Sequence, residues 1–128
     1  MKRILIVEDN RHIREGLLTL IETAGYRCAG AVDFEAAAEL LRKEPFDLLI
    51  TDLDLPGGTG LDLVRQAKAL CPSILVTAYG CSEVRRQAQE LDVAGYFEKP
   101  YDPAALMTLV RSSIGNNETL SARSTRSG

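Results

Sequence analysis

The chain has 128 residues with 15 Lys+Arg against 18 Asp+Glu, a net charge of -3, 45% apolar residues and 26% charged ones, the balance of a globular domain that buries roughly 65–70% of its unfolded surface. One His and three Cys, at positions 28, 71 and 81, cannot build a closed four-ligand zinc site, and such sparse thiols predict a reduced, cytoplasmic protein. The apolar run Ile4–Val7 is too short for a signal peptide or a membrane span, and the mixed charge predicts neither membrane nor direct nucleic-acid binding.

Along the chain, short branched apolar runs alternate with segments of helical period. The predicted strands are Arg3–Val7, Tyr26–Ala31, Asp47–Thr51, Ser73–Thr77 and Ala94–Glu98. The first helix places Ile13, Leu17, Leu18, Ile21 and Ala24 on one face and stops at Gly25. The second runs from about Phe34 to Lys43, capped by Asp33 and ended before Pro45, and the third runs from about Leu61 to before Pro72. Ser82 is the expected cap of the fourth, with Val84, Ala88 and Leu91 inward, and Asp102-Pro103 opens the fifth.

Strict alternation of strand and helix predicts an α/β fold: a doubly wound five-stranded parallel sheet with helices on both faces. The runs Ile4–Val7 and Leu48–Ile50 suit strands buried on both sides. One domain over 1–114 is expected, and 115–128, polar and rich in Ser and Arg, reads as a tail or truncated linker.

Reactive side chains fall at strand ends: Glu8 and Asp9 after the first, Asp52 after the third, Thr77 at the end of the fourth and Lys99 after the fifth. In open α/β sheets ligands bind at the carboxyl ends of strands. Three carboxylates crowded at one edge repel unless a cation joins them, and hard oxygen donors with room for water suit Mg²⁺. One carboxylate can then attack phosphorus, with a lysine and a hydroxyl around the transferring oxygens.

The stretches VEDN (7–10), TDLDLPGGTG (51–60), TAYG (77–80) and GYFEKP (95–100) stand in the order and spacing of a known family. Over roughly residues 2–114 the chain resembles the receiver domain of two-component response regulators. The resemblance implies the flavodoxin-like strand order 2-1-3-4-5 and a phosphorylation-dependent switch, not a turnover enzyme. It implies that Asp52 accepts a phosphoryl group from a sensor histidine kinase or phosphotransfer protein. It also implies that Glu8, Asp9, Asp52 and the Asp54 backbone carbonyl hold Mg²⁺, that Thr77 and Lys99 contact the phosphoryl group, and that Thr77 and Tyr96 form the switch. Asp54 and Tyr79 match positions that tune dephosphorylation, and Lys99-Pro100 matches a bond that is cis in the family. Output is expected through the fourth helix, fifth strand and fifth helix, to a downstream partner, a fused effector domain or a homodimer.

Two alternatives stand beside this reading. Asp52-Leu-Asp54 resembles the DxD nucleophile motif of haloacid-dehalogenase-type phosphatases, although there the acidic pair follows the nucleophile; a receiver-like module that takes no phosphate is the other. His12 reads as a solvent-facing helix residue and Cys28 as core. Asp47, Asp62 and Asp92 read as caps or surface charge, and Gly57, Gly58 and Gly60 as a mobile loop after Asp52 rather than a nucleotide loop.

Overall fold

Strand β1 (Arg3–Val7) leads into helix α1 (Arg11–Thr23), then β2 (Arg27–Ala31), α2 (Phe34–Lys43) and β3 (Leu48–Asp52). Two short strands follow, β4 (Asp54–Leu55) and β5 (Gly58–Thr59), then α3 (Gly60–Ala67), β6 (Ser73–Thr77), α4 (Ser82–Glu90) and β7 (Gly95–Glu98). A last helix, α5, covers 103–114. The structure, a computed structural model, describes residues 1–114; the polar tail expected at 115–128 lies outside the described residues.

The five long strands form one parallel sheet of order β2-β1-β3-β6-β7. Counted along the chain, this is the expected 2-1-3-4-5. Successive side chains of a strand leave on opposite faces. Ile4 and Ile6 of β1 therefore pack with Leu17 and Ile21 of α1 and with Leu106, Met107 and Val110 of α5. Leu5 and Val7 pack instead with Ala37, Ala38 and Leu41 of α2 and Leu63, Val64 and Ala67 of α3. Leu53, Leu61, Leu75 and Ala88 seat α4 on that second face. All four β1 core residues are at most 1% exposed, and each fully buried aliphatic side chain contributes about 1.5–3 kcal/mol.

Local chemistry sets the ends of the elements. Asn10, Asp33 and Thr59 cap α1, α2 and α3 by accepting the backbone N–H of Ile13, Ala36 and Asp62. In α4 the cap is Cys81 rather than the expected Ser82, because the first helical bond, from Arg85 N, ends on the Cys81 carbonyl. The third helix ends at Ala67, where Leu70 and Cys71 turn back onto the Ala67 carbonyl, well before Pro72. Ile13 and Ala24 do not join the buried face of α1: Ile13 is 37% exposed and Ala24 is exposed, since the sheet covers the helix mainly through Leu17 and Ile21.

The segment after Asp52, expected as a mobile loop, contains a short paired hairpin. Asp54 pairs with Thr59 and Leu55 with Gly58 across a Pro56-Gly57 turn in which Gly57 has φ +86°, a conformation that glycine adopts without strain. The Pro56 carbonyl accepts the N–H of Phe34, which ties the hairpin to α2. A Cβ on Gly60 would stand 2.2 Å from the Asp52 carbonyl oxygen, so the start of α3 passes against the end of β3 only as glycine.

Burial pushes the Cys28 and Cys71 thiols up to about 11, whereas Cys81 is exposed at the start of α4. The thiolate is the nucleophile. Iodoacetamide at pH 8 is therefore expected to alkylate Cys81 first in the folded chain and all three cysteines after denaturation; peptide mass mapping that finds Cys28 or Cys71 equally fast would contradict these burials.

Candidate functional site

Parallel register brings distant residues to one edge. Val7 lies beside both Ala31 and Thr51, Asp52 beside Val76, and Thr77 beside Glu98. Glu8, Asp52, Thr77 and Lys99 consequently stand at the carboxyl ends of four neighbouring strands. Asp52 itself is the last residue of β3, one later than the strand end expected from the apolar pattern.

Glu8, Asp9 and Asp52 each offer a carboxylate oxygen, and these oxygens all lie within 4.8 Å of one another. Glu8 is buried at 3% exposure, Asp52 is partly buried and Asp9 is exposed. The Lys99 ammonium donates to Glu8 Oε1 at 2.8 Å and to Asp52 Oδ2 at 3.3 Å, and so bridges β1 and β3 from the end of β7. Glu8 Oε2 accepts the Asn10 N–H at 3.0 Å, which holds this carboxylate on the β1–α1 turn.

Three carboxylates face one ammonium. Burial first, and then the neighbouring Glu8 charge, hold the Asp52 carboxyl above its ordinary range against the opposing pull of Lys99. Burial alone would lower the Lys99 ammonium; its hydrogen bond to Glu8 and the charges of Asp52 and Glu8 outweigh that and raise it. The donor set, hard oxygens with excess negative charge and one open side at Asp9, fits a small divalent cation.

Thr77 is fully buried. Its Oγ1 accepts the Tyr79 N–H at 3.1 Å, which leaves the hydroxyl proton available as a donor. The Lys99 N–H bonds the Thr77 carbonyl at 2.8 Å, and the Lys99-Pro100 peptide is cis. Asp54 is exposed at the start of β4, and its side chain is not one of the three carboxylates that come together.

Tyr96 is half-buried on β7 beside Leu75, and its hydroxyl donates to Glu98 Oε2 at 3.4 Å rather than to Glu8, Asp9 or Asp52. Tyr79 is 81% exposed. His12 is exposed, as expected. Asp47 accepts the Arg3 N–H at 2.8 Å, Asp62 pairs with Arg65, and Asp92 closes the end of α4 with φ 56°.

Two neighbours of the site escaped the sequence reading. Tyr101 stacks at a tilt on Phe97, 5.6 Å between ring centres; burial raises its phenol, with Lys99 opposing and Glu8 and Asp52 adding. Arg14 donates from Nη1 to the Glu8 carbonyl at 2.9 Å and the Asp9 carbonyl at 3.5 Å. The signal for Arg14 was its place one turn into α1, since helical side chains lean toward the N-terminus.

A family profile described as the response regulator receiver domain matches residues 4–111. Response regulator protein FleR of Pseudomonas aeruginosa is 35% identical over 117 residues, covering 88% of this chain and 25% of FleR. The phosphate regulon transcriptional regulatory protein PhoB of Escherichia coli is 31% identical over 116 residues, 87% of this chain and 51% of PhoB. The chain thus spans a quarter to a half of the length of these relatives. Among solved structures, a CheY-like receiver domain protein of Methanospirillum hungatei superposes with TM-score 0.88 at 26% identity, covering 93% of this chain and 98% of its own. TrrA of Thermotoga maritima, solved in complex with Mg²⁺ and BeF, superposes with TM-score 0.77 at 30% identity, covering 88% and 98%. Among the described residues no helix is long and apolar enough to cross a membrane. Sheet order, the acidic edge bridged by a lysine, and a profile match over most of its length place this chain in the response regulator receiver domain family of two-component signalling.

Proposed function

We propose that this chain is a phosphorylation-dependent switch, with a receiver domain over 1–114, in which Asp52 is the phosphoacceptor. The observation that carries the reading is the Lys99 bridge: one ammonium holds Glu8 and Asp52 together while the Asp9 carboxylate closes the group. A histidine kinase or phosphotransfer protein supplies a phosphoryl group on imidazole nitrogen. An Asp52 oxygen attacks phosphorus, the P–O bond forms as the P–N bond breaks, and the leaving imidazole keeps the P–N electron pair and takes up a proton from solvent. Glu8, Asp9, Asp52 and the Asp54 carbonyl would hold Mg²⁺, which supplies positive charge for the transferring oxygens. Lys99 swings from carboxylate to phosphoryl oxygen, and the free Thr77 proton donates to another.

The added charge, about -2 at neutral pH, draws Thr77 and Lys99 toward Asp52. Thr77 and Lys99 are joined through the Thr77 carbonyl, and Tyr96 lies on β7 three residues before Lys99, so the change reaches the surface of α4, β7 and α5 as a shift between two packings. An effector domain, a separate partner or a second copy reads that surface.

Incubation with acetyl phosphate and Mg²⁺ is expected to add one phosphoryl group to wild type and none to Asp52→Asn, read by intact mass. Beryllofluoride with Mg²⁺ should shift amide resonances around residues 52, 77 and 99 in wild type alone. Equal behaviour of the two proteins removes Asp52 from the role, and continuous phosphate release from a phosphomonoester would favour the DxD phosphatase reading.

A further inference from the structure

The β1–α1 turn has no ladder to hold it. The β1 hydrogen bonding ends with Glu8 N on the Ala31 carbonyl, and the next two peptide planes, those carrying the Glu8 and Asp9 carbonyls, set the directions in which both carboxylates leave the chain. Both carbonyls accept from the same guanidinium nitrogen of Arg14, at 2.9 and 3.5 Å. Arg14 reaches them because β2 offers glycine beneath its stem: a Cβ on Gly30 would stand 3.3 Å from Arg14 Cδ and 3.4 Å from Leu18 Cδ1. The Asn10 cap on Ile13 and the Asn10 N–H on Glu8 Oε2 complete the same turn.

We propose that Arg14 is a positioning residue for cation binding: its guanidinium fixes the Glu8 and Asp9 carbonyls so that both carboxylates face Asp52. This inference rests on the metal-binding part of the proposed function. Charge and position act with opposite signs here. A positive side chain beside an acidic group repels a divalent cation, so deletion of the charge alone strengthens Mg²⁺ binding. Loss of the two carbonyl anchors frees the turn and weakens it; groups that orient metal ligands are worth about 10–100-fold in affinity.

The test is a Mg²⁺ titration of the full chain, wild type against Arg14→Met and Arg14→Lys, by calorimetry and by the amide resonances of residues 8–10 at constant ionic strength. Arg14→Met keeps an apolar stem over Gly30 and loses the donors; it is expected to bind Mg²⁺ about tenfold more weakly, with altered 8–10 resonances before metal is added. Arg14→Lys keeps the charge, but its ammonium ends one bond short of the Arg14 Nη1 position that reaches both carbonyls, and it is also expected to weaken binding. Equal or tighter binding by Arg14→Met overturns the positioning role and leaves a charge or a purely structural contact. Should Arg14→Met fail to fold, Arg14→Lys decides: wild-type affinity overturns the proposal and weaker affinity supports it. If the wild-type chain itself shows no Mg²⁺ response, the metal-binding reading falls and this inference falls with it.

Discussion

Lys99→Met is expected to destabilise the folded chain by about 2 kcal/mol at pH 7, roughly 8 °C in melting temperature for a domain of this size. The Lys99 side chain is 20% exposed, and its partners Glu8 and Asp52 are 5% and 11% exposed. Removing one partner of a buried pair leaves the others without compensation, which costs about 3–5 kcal/mol in the deepest cases; the partial exposure of Lys99 and the open Asp9 side bring the expectation down. The pH dependence has a definite sign. A lysine whose folded pKa is raised contributes stability that is complete below the unfolded lysine range near 10.5 and is lost as pH rises through the folded value. On the acid side the Asp52 carboxyl, held above its ordinary range, takes up a proton and no longer needs the ammonium. The difference between wild type and Lys99→Met should therefore be largest around neutral pH and shrink toward both extremes. Thermal melts across pH in chelator check this, and a gap that widens in acid would refute it.

Asp52→Asn is expected to do the opposite and to melt a few degrees above wild type in metal-free buffer at pH 7, about 1 kcal/mol being roughly 4 °C. Burial and Glu8 hold the Asp52 carboxyl above its ordinary range, so its ionised form is a cost to the native state. A carboxyl raised in this way costs nothing below the unfolded value near 3.8, where it is protonated in both states, and its penalty grows as pH rises through the folded value. The advantage of the amide should accordingly be absent at about pH 3 and grow as pH rises toward neutrality. If Asp52 holds Mg²⁺ as proposed, added Mg²⁺ is expected to reverse the order, because binding would stabilise wild type and not the variant. An Asp52→Asn chain that melts below wild type in chelator would show that the Lys99 pair outweighs burial and repulsion at this position. Combined with Lys99→Met, the two changes should be non-additive, because Lys99 and Asp52 are direct partners in the same charged group.

The strands were legible because their signal is local. Ile4–Val7 and Leu48–Ile50 are apolar on consecutive positions, a pattern that suits a strand buried on both faces. Helix α2 carries its Asp33 cap and its pre-proline stop within a dozen residues, and its bounds were read to the residue. The acids and the lysine were legible as chemistry at strand ends, and the resemblance of four short stretches implied the roles now proposed for them. Features that depend on several local preferences at once were read less well. The Pro56-Gly57 turn pairs two-residue strands that are too short for any periodicity to register, so the glycines looked like slack chain. Ile13 fits the apolar face of α1 by spacing and is still 37% exposed, because helical period fixes a face but not how far the sheet beneath it extends.

The sequence by itself determined the alternation of strand and helix, and with it the parallel sheet and the end of the sheet that carries the chemistry; these follow from periodicity, caps and chirality, which act over a few residues. Tertiary structure alone decided how the charges are shared. Lys99 meets Glu8 across 91 positions and Asp52 across 47, and Arg14 holds the turn that aims Glu8 and Asp9. Coulomb energy and burial depend on distances through space rather than along the chain, so the raised Asp52 carboxyl, the raised Lys99 ammonium and the grouping of three carboxylates within 4.8 Å exist only once the sheet has brought four strand ends together.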